Sequence, residues 1–253
     1  SNPFFTDRRV RRAMAHAYDR NRVLRDVSHN LYLPSNGIFD SEHWAHNPDV
    51  ELIEFDLDRA AQLLDEAGWT VNPDDGLRYK TIDGKPVKFE FTISFPLTFA
   101  DAVRMGEIYR ADLLRIGVSF KNRNIENATF SSKLLDHDFQ AFVATNGFSI
   151  DPDYWRNTFH TDQYANGRNY MAYSSKRVDE LFELEVSEFD RDKRAVYFRE
   201  LQAQIYEDQP LMFMWNYTLT HAFSKRMRGV TLSPSGVYGF YPGQIGWWAA
   251  KEP

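Results

Sequence analysis

Helical spacing of apolar residues dominates the start of the chain. Val10, Ala13, Met14 and Ala17 recur at i, i+3, i+4 and i+7 behind Thr6 or Asp7, which predicts a capped helix with one buried stripe. Asp19 caps a second, shorter helix with Val23, Leu24 and Val27 inward. From Leu33 through Phe39, Trp44 and Pro48 the period is lost and the chain reads as loop. The plainest helix follows. Asp56 stands at its cap and Asp58 in its first turn, while Ala60, Leu63, Leu64 and Ala67 form its stripe. Gly68 is its left-handed stop, and Trp69 is set to pack back on the last turn.

Strand spacing takes over next. Turn chemistry at residues 72–76 and 83–86 brackets a short hairpin around residues 77–82. Residues 88–95 then alternate, with Phe89, Phe91, Ile93 and Phe95 on one face and Glu90, Thr92 and Ser94 on the other, as in a half-buried strand. A long amphipathic helix over residues 99–116 ends at Gly117, and residues 118–121 form a second strand. Strand, helix and strand in that order predict a parallel crossover. A short helix covers residues 128–135 and a third, buried strand residues 139–145.

Two further helices are predicted. One starts at Ser174 or Ser175 and turns Val178, Leu181, Phe182 and Val186 inward. The other runs over residues 190–208 with Ala195, Phe198, Leu201 and Ile205 inward, and Pro210 stops it. Residues 211–217 read as a fourth strand buried on both faces, and residues 229–248 show no clear period. There is no internal repeat. The sum is an α/β (α+β mixed) chain with a mixed sheet flanked by helices.

One stretch breaks the pattern. Thr145-Asn146-Gly147-Phe148-Ser149-Ile150-Asp151-Pro152-Asp153-Tyr154-Trp155, continued to Ser175, is rich in Gly, Asp, Pro, Asn and aromatic residues. Loops of roughly 30 residues inside a compact chain are usually functional or disordered, and the aromatic content argues against disorder. A polar, aromatic loop leaving the carboxyl end of a strand is suited to ligand binding.

Composition narrows the classes. With 43% hydrophobic and 15% aromatic residues among 253, the chain can bury a sizeable core. A net charge of -6 argues against a nucleic-acid binder, and the arginines at 8, 9, 11 and 12 fan around a helix as a solvated surface. The absence of cysteine excludes disulfides, thiolate metal sites and a Cys nucleophile, and it fits an oxidising compartment. No apolar run approaches the ~20 residues of a membrane span. Ser1-Asn2-Pro3 reads as an artificial boundary, so the missing signal peptide says little about location.

The strong catalytic and cofactor motifs are absent: no nucleophile elbow, no phosphate or dinucleotide loop, no His-Glu-x-x-His. No cofactor is called for. Glu42 with His43 and His46, Asp136-His137-Asp138, and His160 with Asp162 have metal-ligand residue types but read more simply as packing or turns. Asp151 and Asp153 could be a carboxylate pair for glycoside hydrolysis, yet they stand only two apart. With Phe148, Tyr154, Trp155, Asn169, Tyr170 and Tyr173 nearby, they are better suited to hold an amine under aromatic cover. Spacing alone equally allows an Asx-Pro turn in which Asp caps the next segment.

Four stretches resemble a known family. Asp7-Arg8-Arg9-Val10-Arg11-Arg12-Ala13 with Ala17-Tyr18-Asp19-Arg20 is similar to a "D-x-R-V-R-x-A-(x)3-A-I-D-R" helix. Phe55-Asp56-Leu57 with Leu63-Leu64-Asp65-Glu66-Ala67-Gly68-Trp69 is similar to a "Y-D-P-x-x-A-x-x-L-L-x-E-A-G-W" helix. Asn169-Tyr170-Met171-Ala172-Tyr173 with Val178-Asp179 resembles "N-Y-x-x-Y-x-N-P-x-V-D", and residues 201–210 resemble the last family helix. The family is the family 5 extracellular solute-binding proteins, the peptide- and nickel-type receptors of ABC importers.

That resemblance implies a lobe of the type II periplasmic-binding-protein kind and a ligand held between two lobes. Residues 1–213 would be the second lobe, and residues 214–253 would return toward the hinge and a first lobe outside this chain. Implied partners are a peptide or similar small solute, the importer's membrane subunits and the N-terminal lobe of the same protein, with no nucleic acid. The implied setting is periplasmic or extracellular, either free or lipid-anchored. In oligopeptide-binding members a Gly-Trp-x-x-Asp stretch binds the ligand. By that match Asp151 takes its amine, Phe148 is the aromatic wall, and Gly147 and Ser149 pair with its backbone. Phe replaces the usual Trp and Asp-Pro-Asp departs from the usual order, so either Asp151 or Asp153 faces the cleft. Trp155, Asn169 and Tyr170 complete the expected site. The rival expectations are a metal or metallophore receptor using His160, His43 or His46, and a hydrolase using Asp151 and Asp153.

Overall fold

Aspartate starts the helices at the front of the chain. The computed structural model describes residues 2–99, 101–146, 149, 151–218, 220–231 and 243–251. Asp7 accepts from the Arg9 amide and opens α1 (Arg8–His16); Asp19 accepts from Arg22 and opens α2 (Arg20–Asp26). After the two-residue strand β1 (Leu33–Pro34), Asp56 accepts from Arg59 and opens α3 (Leu57–Glu66). Gly68 ends that helix at φ +83°, where a side chain would be strained. Trp69 then folds back and is buried, with its ring centroid 4.4 Å from that of Phe89.

The predicted hairpin gains a third strand. β2 (Thr70–Val71), β3 (Arg78–Ile82) and β4 (Lys85–Lys88) form an antiparallel sheet in that order. Two exposed residues in β2 carry no period, so the pattern gave no sign of it. The predicted crossover is present: β5 (Glu90–Pro96), α4 (Asp101–Arg115) and β6 (Ser119–Ile125), with Phe91 level with Phe120 in a parallel pair. β5 is central, between β6 and the short β7 (Ala141–Phe142) that follows α5 (Asn127–Leu135). That position explains why Ser94 is buried along with Phe89, Phe91, Ile93 and Phe95.

β7 is far shorter than the strand expected over residues 139–145, and it is only partly buried. Pairing continues through one more bond, Val143 N–H to the Ser94 carbonyl at 3.0 Å. The next rung of a parallel ladder would need the amide of residue 96, which is Pro96 and has no N–H. The ladder therefore stops. Among the described residues, the amides of Ala144, Thr145 and Asn146 donate to no backbone carbonyl.

A short helix α6 (Arg156–Phe159) lies in the long loop, and α7 (Lys176–Val186) and α8 (Arg191–Asp208) pack as a pair capped by Ser175 and Asp190. Gln209, at φ +46°, ends α8 one residue before the expected stop at Pro210. The fourth strand, expected over residues 211–217 and buried on both faces, shrinks to β8 (Trp215–Asn216), half-buried and antiparallel to β1. Arg20 explains the shortening. Its buried guanidinium takes the carbonyls of Phe213 (3.0 Å), Met214 (3.1 Å) and Ile53 (3.0 Å), so the approach to β8 is bonded to an arginine rather than to a strand. β9 (Met227–Arg228) and β10 (Trp248–Ala249) form a last antiparallel pair. The pairings expected in one mixed sheet are thus divided, among the described residues, into four small sheets.

Two cores result. The sheet core gathers Phe4, Trp69, Phe89, Phe91, Phe95 and Phe120 with the inner faces of α1, α3 and α4. The helix core gathers Phe39, Phe159, Phe182, Phe198, Leu181 and Leu201 between α7, α8 and the long loop. Among the described residues no helix is long and apolar enough to cross a membrane.

Candidate functional site

A cleft of about 2340 Å³ opens between these cores. One wall is the carboxyl end of the parallel sheet: Ser94, Phe95 and Pro96 from β5, and Phe142 to Asn146 from the unpaired continuation of β7. Ser149, Trp155 and Tyr170 extend that wall from the loop. Trp44, Trp215 and Tyr217 line other parts of the cleft.

The loop is built from short turns braced by side chains. Asp151 caps a 3-10 turn, Pro152–Trp155, by accepting from the Asp153 amide at 3.1 Å. This is the Asx-Pro arrangement. The same Asp151 Oδ1 accepts from Arg194 Nη2 at 3.1 Å, and the side chain is 64% exposed. Asn169 is fully buried and works on the backbone. Its Nδ2 donates to the carbonyls of His160 (3.1 Å) and Tyr173 (2.7 Å), and its Oδ1 accepts from the Tyr173 amide (2.9 Å). Phe159 and Tyr173 then plug the loop into the helix core. The Tyr173 phenol donates to Asp208 at 2.7 Å, and burial followed by that carboxylate raises its pKa.

Of the expected site residues, Ser149, Trp155 and Tyr170 line the cleft, whereas Asp151, Asp153 and Asn169 are not among the lining residues. Gly147 and Phe148 lie outside the described residues. The histidines do not converge. His160 Nδ1 is 2.6 Å from Asp162 Oδ1, and its Nε2 is 3.4 Å from Arg156 and 3.5 Å from Glu183. His43 stacks on Phe39 at 4.9 Å and accepts from the Ala45 amide. His137 occupies the expected turn, with its ring nitrogens each 3.2 Å from the carbonyls of Tyr170 and Tyr164. Among the described residues no group of three or more His, Asp or Glu is placed to hold a metal ion.

The periodicity missed a buried acid. Val186, expected inward, is exposed, and Glu185 is fully buried in its place. Glu185 stands at i+3, i+4 and i+7 from Phe182, Leu181 and Val178, so a carboxylate on an apolar stripe was the available signal. Arg194 Nη2 reaches Glu185 Oε2 at 2.7 Å. Burial first, and the neighbouring Asp153 carboxyl second, push the Glu185 pKa up to about 8 against the pull of Arg194.

Comparison with known proteins gives consistent likenesses. The sequence profile of "Bacterial extracellular solute-binding proteins, family 5 Middle" matches residues 1–167. The oligopeptide-binding protein AppA of Bacillus subtilis (strain 168) is 28% identical over 99% of this chain and 45% of its own length. The solved structure of AppA from Bacillus subtilis in complex with a nonapeptide superposes with a TM-score of 0.88 at 27% identity, covering 99% of this chain and 49% of that one. NikZ from Campylobacter jejuni, solved in complex with Ni(L-His), superposes with a TM-score of 0.81 at 25% identity, covering 97% and 49%. The chain therefore spans about half the length of the relatives it matches. The fold is that of the type II lobes these receptors share.

Proposed function

The chain belongs to family 5 of the bacterial extracellular solute-binding proteins, and from that premise we propose that it supplies one wall of a cleft that captures an oligopeptide for an ABC importer. It binds and hands over its ligand without chemistry. One observation carries the reading. Past the Pro96 rung, the amides of residues 144–146 on the cleft wall donate to no backbone carbonyl among the described residues. An extended ligand laid along them would meet a ready edge, which suits a peptide backbone better than a sugar or a bare ion. The nonapeptide held by the similar AppA supports the same class of ligand.

In this reading residues 1–213 are the second lobe and residues 214–253 return toward the hinge and the protein's first lobe. The lobes close over the ligand. The full-length protein works in the periplasm or outside the cell, free or lipid-anchored, and delivers to the importer's membrane subunits. Gly147 and Ser149 pair with the ligand backbone, Phe148, Trp155 and Tyr170 cover its side chains, and Asp153 and Asn169 hold the loop in shape. Asp151 does not line the cleft as it stands, but its Oδ2 accepts no hydrogen bond among the described residues and would take the ligand's ammonium once the lobes close. Capture of a metal chelate is the second reading, favoured by the likeness to NikZ with its nickel-histidine.

Mass spectrometry of whatever copurifies with the full-length, untagged protein, with metal analysis of the same sample, separates the two. A peptide is expected; a metal chelate overturns the first reading. With that peptide in calorimetry, Asp151→Ala should weaken binding by about 1.5–3 kcal/mol, the worth of a charge-assisted hydrogen bond. Unchanged affinity leaves Asp151 as a cap alone.

A further inference from the structure

Beneath the cleft-side loop lies a buried polar cluster centred on Glu185, a residue to which ligand capture assigns no role. Glu185 on α7 is fully buried. Its Oε2 is satisfied by Arg194, but its Oε1 has no donor, and neither does the buried Oδ1 of Asp153. The Asp153 carboxyl is also, after burial, the neighbour that most favours a proton on Glu185. Two ionised carboxylates offer only acceptors, so these two unsatisfied oxygens can bond to each other only with a proton between them. Without it, two like charges would face each other away from water, at a cost that neighbouring cations would have to offset.

The surrounding charges do not offset it. Arg194 from α8 donates from Nε to Glu185 and from Nη2 to Asp151, and its guanidinium lies 5.2 Å over the Phe198 ring. Arg156 from the loop is bonded to Glu183 on α7, and attraction to Asp153 is a lesser influence on it. Farther out, His160 stands between Asp162, Asp179 and Glu183. The inner cluster thus sets four carboxyl groups, Asp151, Asp153, Glu183 and Glu185, against the two guanidinium groups of Arg156 and Arg194. One shared proton lowers the imbalance from two negative charges to one.

We propose that a proton shared by Glu185 and Asp153 latches the 3-10 turn at Pro152–Trp155 onto α7 and α8, and that losing this proton in alkaline medium frees the cleft wall. The wall would follow because Trp155, at the end of that turn, and Ser149, just before it, both line the cleft. The sign follows from burial. A carboxyl whose folded pKa is raised to about 8 adds stability in full below the ordinary carboxylate range, and that contribution is gone above about 8. Ligand capture would weaken in the same direction, a consequence that rests on the peptide-receptor reading; the latch itself does not.

The test is hydrogen exchange by mass spectrometry on the full-length protein without ligand, from about pH 6 to about pH 9.5, corrected for intrinsic exchange. Protection of residues 151–160 should fall by up to about tenfold per pH unit between about pH 6 and about pH 8, the slope of one proton, and level off above about pH 8, while β5 stays level throughout. Glu185→Gln replaces the shared proton with an amide that donates to Asp153 and still accepts from Arg194. Its loop protection should not change with pH. Asp153→Asn makes the reciprocal replacement and should behave alike, which covers the case where one variant folds poorly. A wild-type loop with flat protection, or the wild-type slope persisting in both variants, overturns the latch. Because no ligand is present, either result leaves the peptide reading to be judged by the copurified ligand.

Discussion

On the sheet side, Phe89 sits among Phe4, Trp69 and Phe91 with ring centroids at 5.2, 4.4 and 6.0 Å. Its environment is apolar on every side these rings cover, and its position repeats every second residue along β5. On the loop side, Asn169 is as deeply buried, yet its side chain spends all three contacts on backbone atoms of His160 and Tyr173. The first arrangement depends on area and shape. The second depends on particular donors and acceptors, and beneath it on charges that change with pH. The division lets the sheet core fix the frame, while the cleft-side loop rests on interactions that can be exchanged without disturbing the frame.

The largest effect tests the frame. Phe89→Ala removes a fully buried ring and should cost about 3–5 kcal/mol in global stability, since the surrounding rings can close over the space only in part. Urea unfolding followed by circular dichroism should show a lower midpoint at an unchanged slope. A loss under about 1 kcal/mol would mean that Phe4 and Trp69 collapse into the space, and that the sheet core is as adaptable as the loop.

Asn169→Ala should cost less overall, about 2–3 kcal/mol, because it strands one amide and two carbonyls that the loosened loop can offer to water. Its mark should be local. Exchange of residues 160–175 should rise well ahead of β5 in the same protein. If β5 loosens by the same factor, the two regions form one cooperative unit and the division drawn above fails.

Legibility in the sequence follows the same line. The caps at Asp7, Asp19, Asp56, Ser175 and Asp190 and the crossover from β5 to β6 were readable because each is a local rule: a side chain and an amide two or three residues on, or a repeating period. Glu126 was not read as the cap of α5, since Glu is an uncommon cap. The pairing of Pro34 with Trp215 could not be read, because two-residue strands have no period and their partners are remote in sequence. Arg20 hides for the same reason; its three acceptors come from two distant segments. At the site, the change of composition located the loop, and Ser149, Trp155 and Tyr170 do fall on the cleft wall. The orientation of Asp151 and Asp153 depends on Arg194 and Glu185, which approach from helices whose polar residues the apolar pattern ignores.

The smallest effect sharpens the comparison most directly, because it sets the two sides at opposite ends of the pH scale. Asp7 belongs to the sheet side. It caps α1, and the hydrogen bond from the Arg9 side chain is the first cause holding its carboxyl below the ordinary value. A depressed folded pKa gives stability that is present above the unfolded value and lost as pH falls through the folded one. Water screens the ion pair, whose partners are 26% and 48% exposed, so the cap dominates and Asp7→Ala should cost about 1 kcal/mol at neutral pH. Measured as a difference between wild type and variant in urea, the other carboxylates largely cancel, and the difference should shrink toward zero as the medium becomes strongly acidic. The latch under the loop behaves with the reverse sign: it holds in acid and fails in alkali. A difference for Asp7 that persisted in strong acid would show that the cap works without its charge.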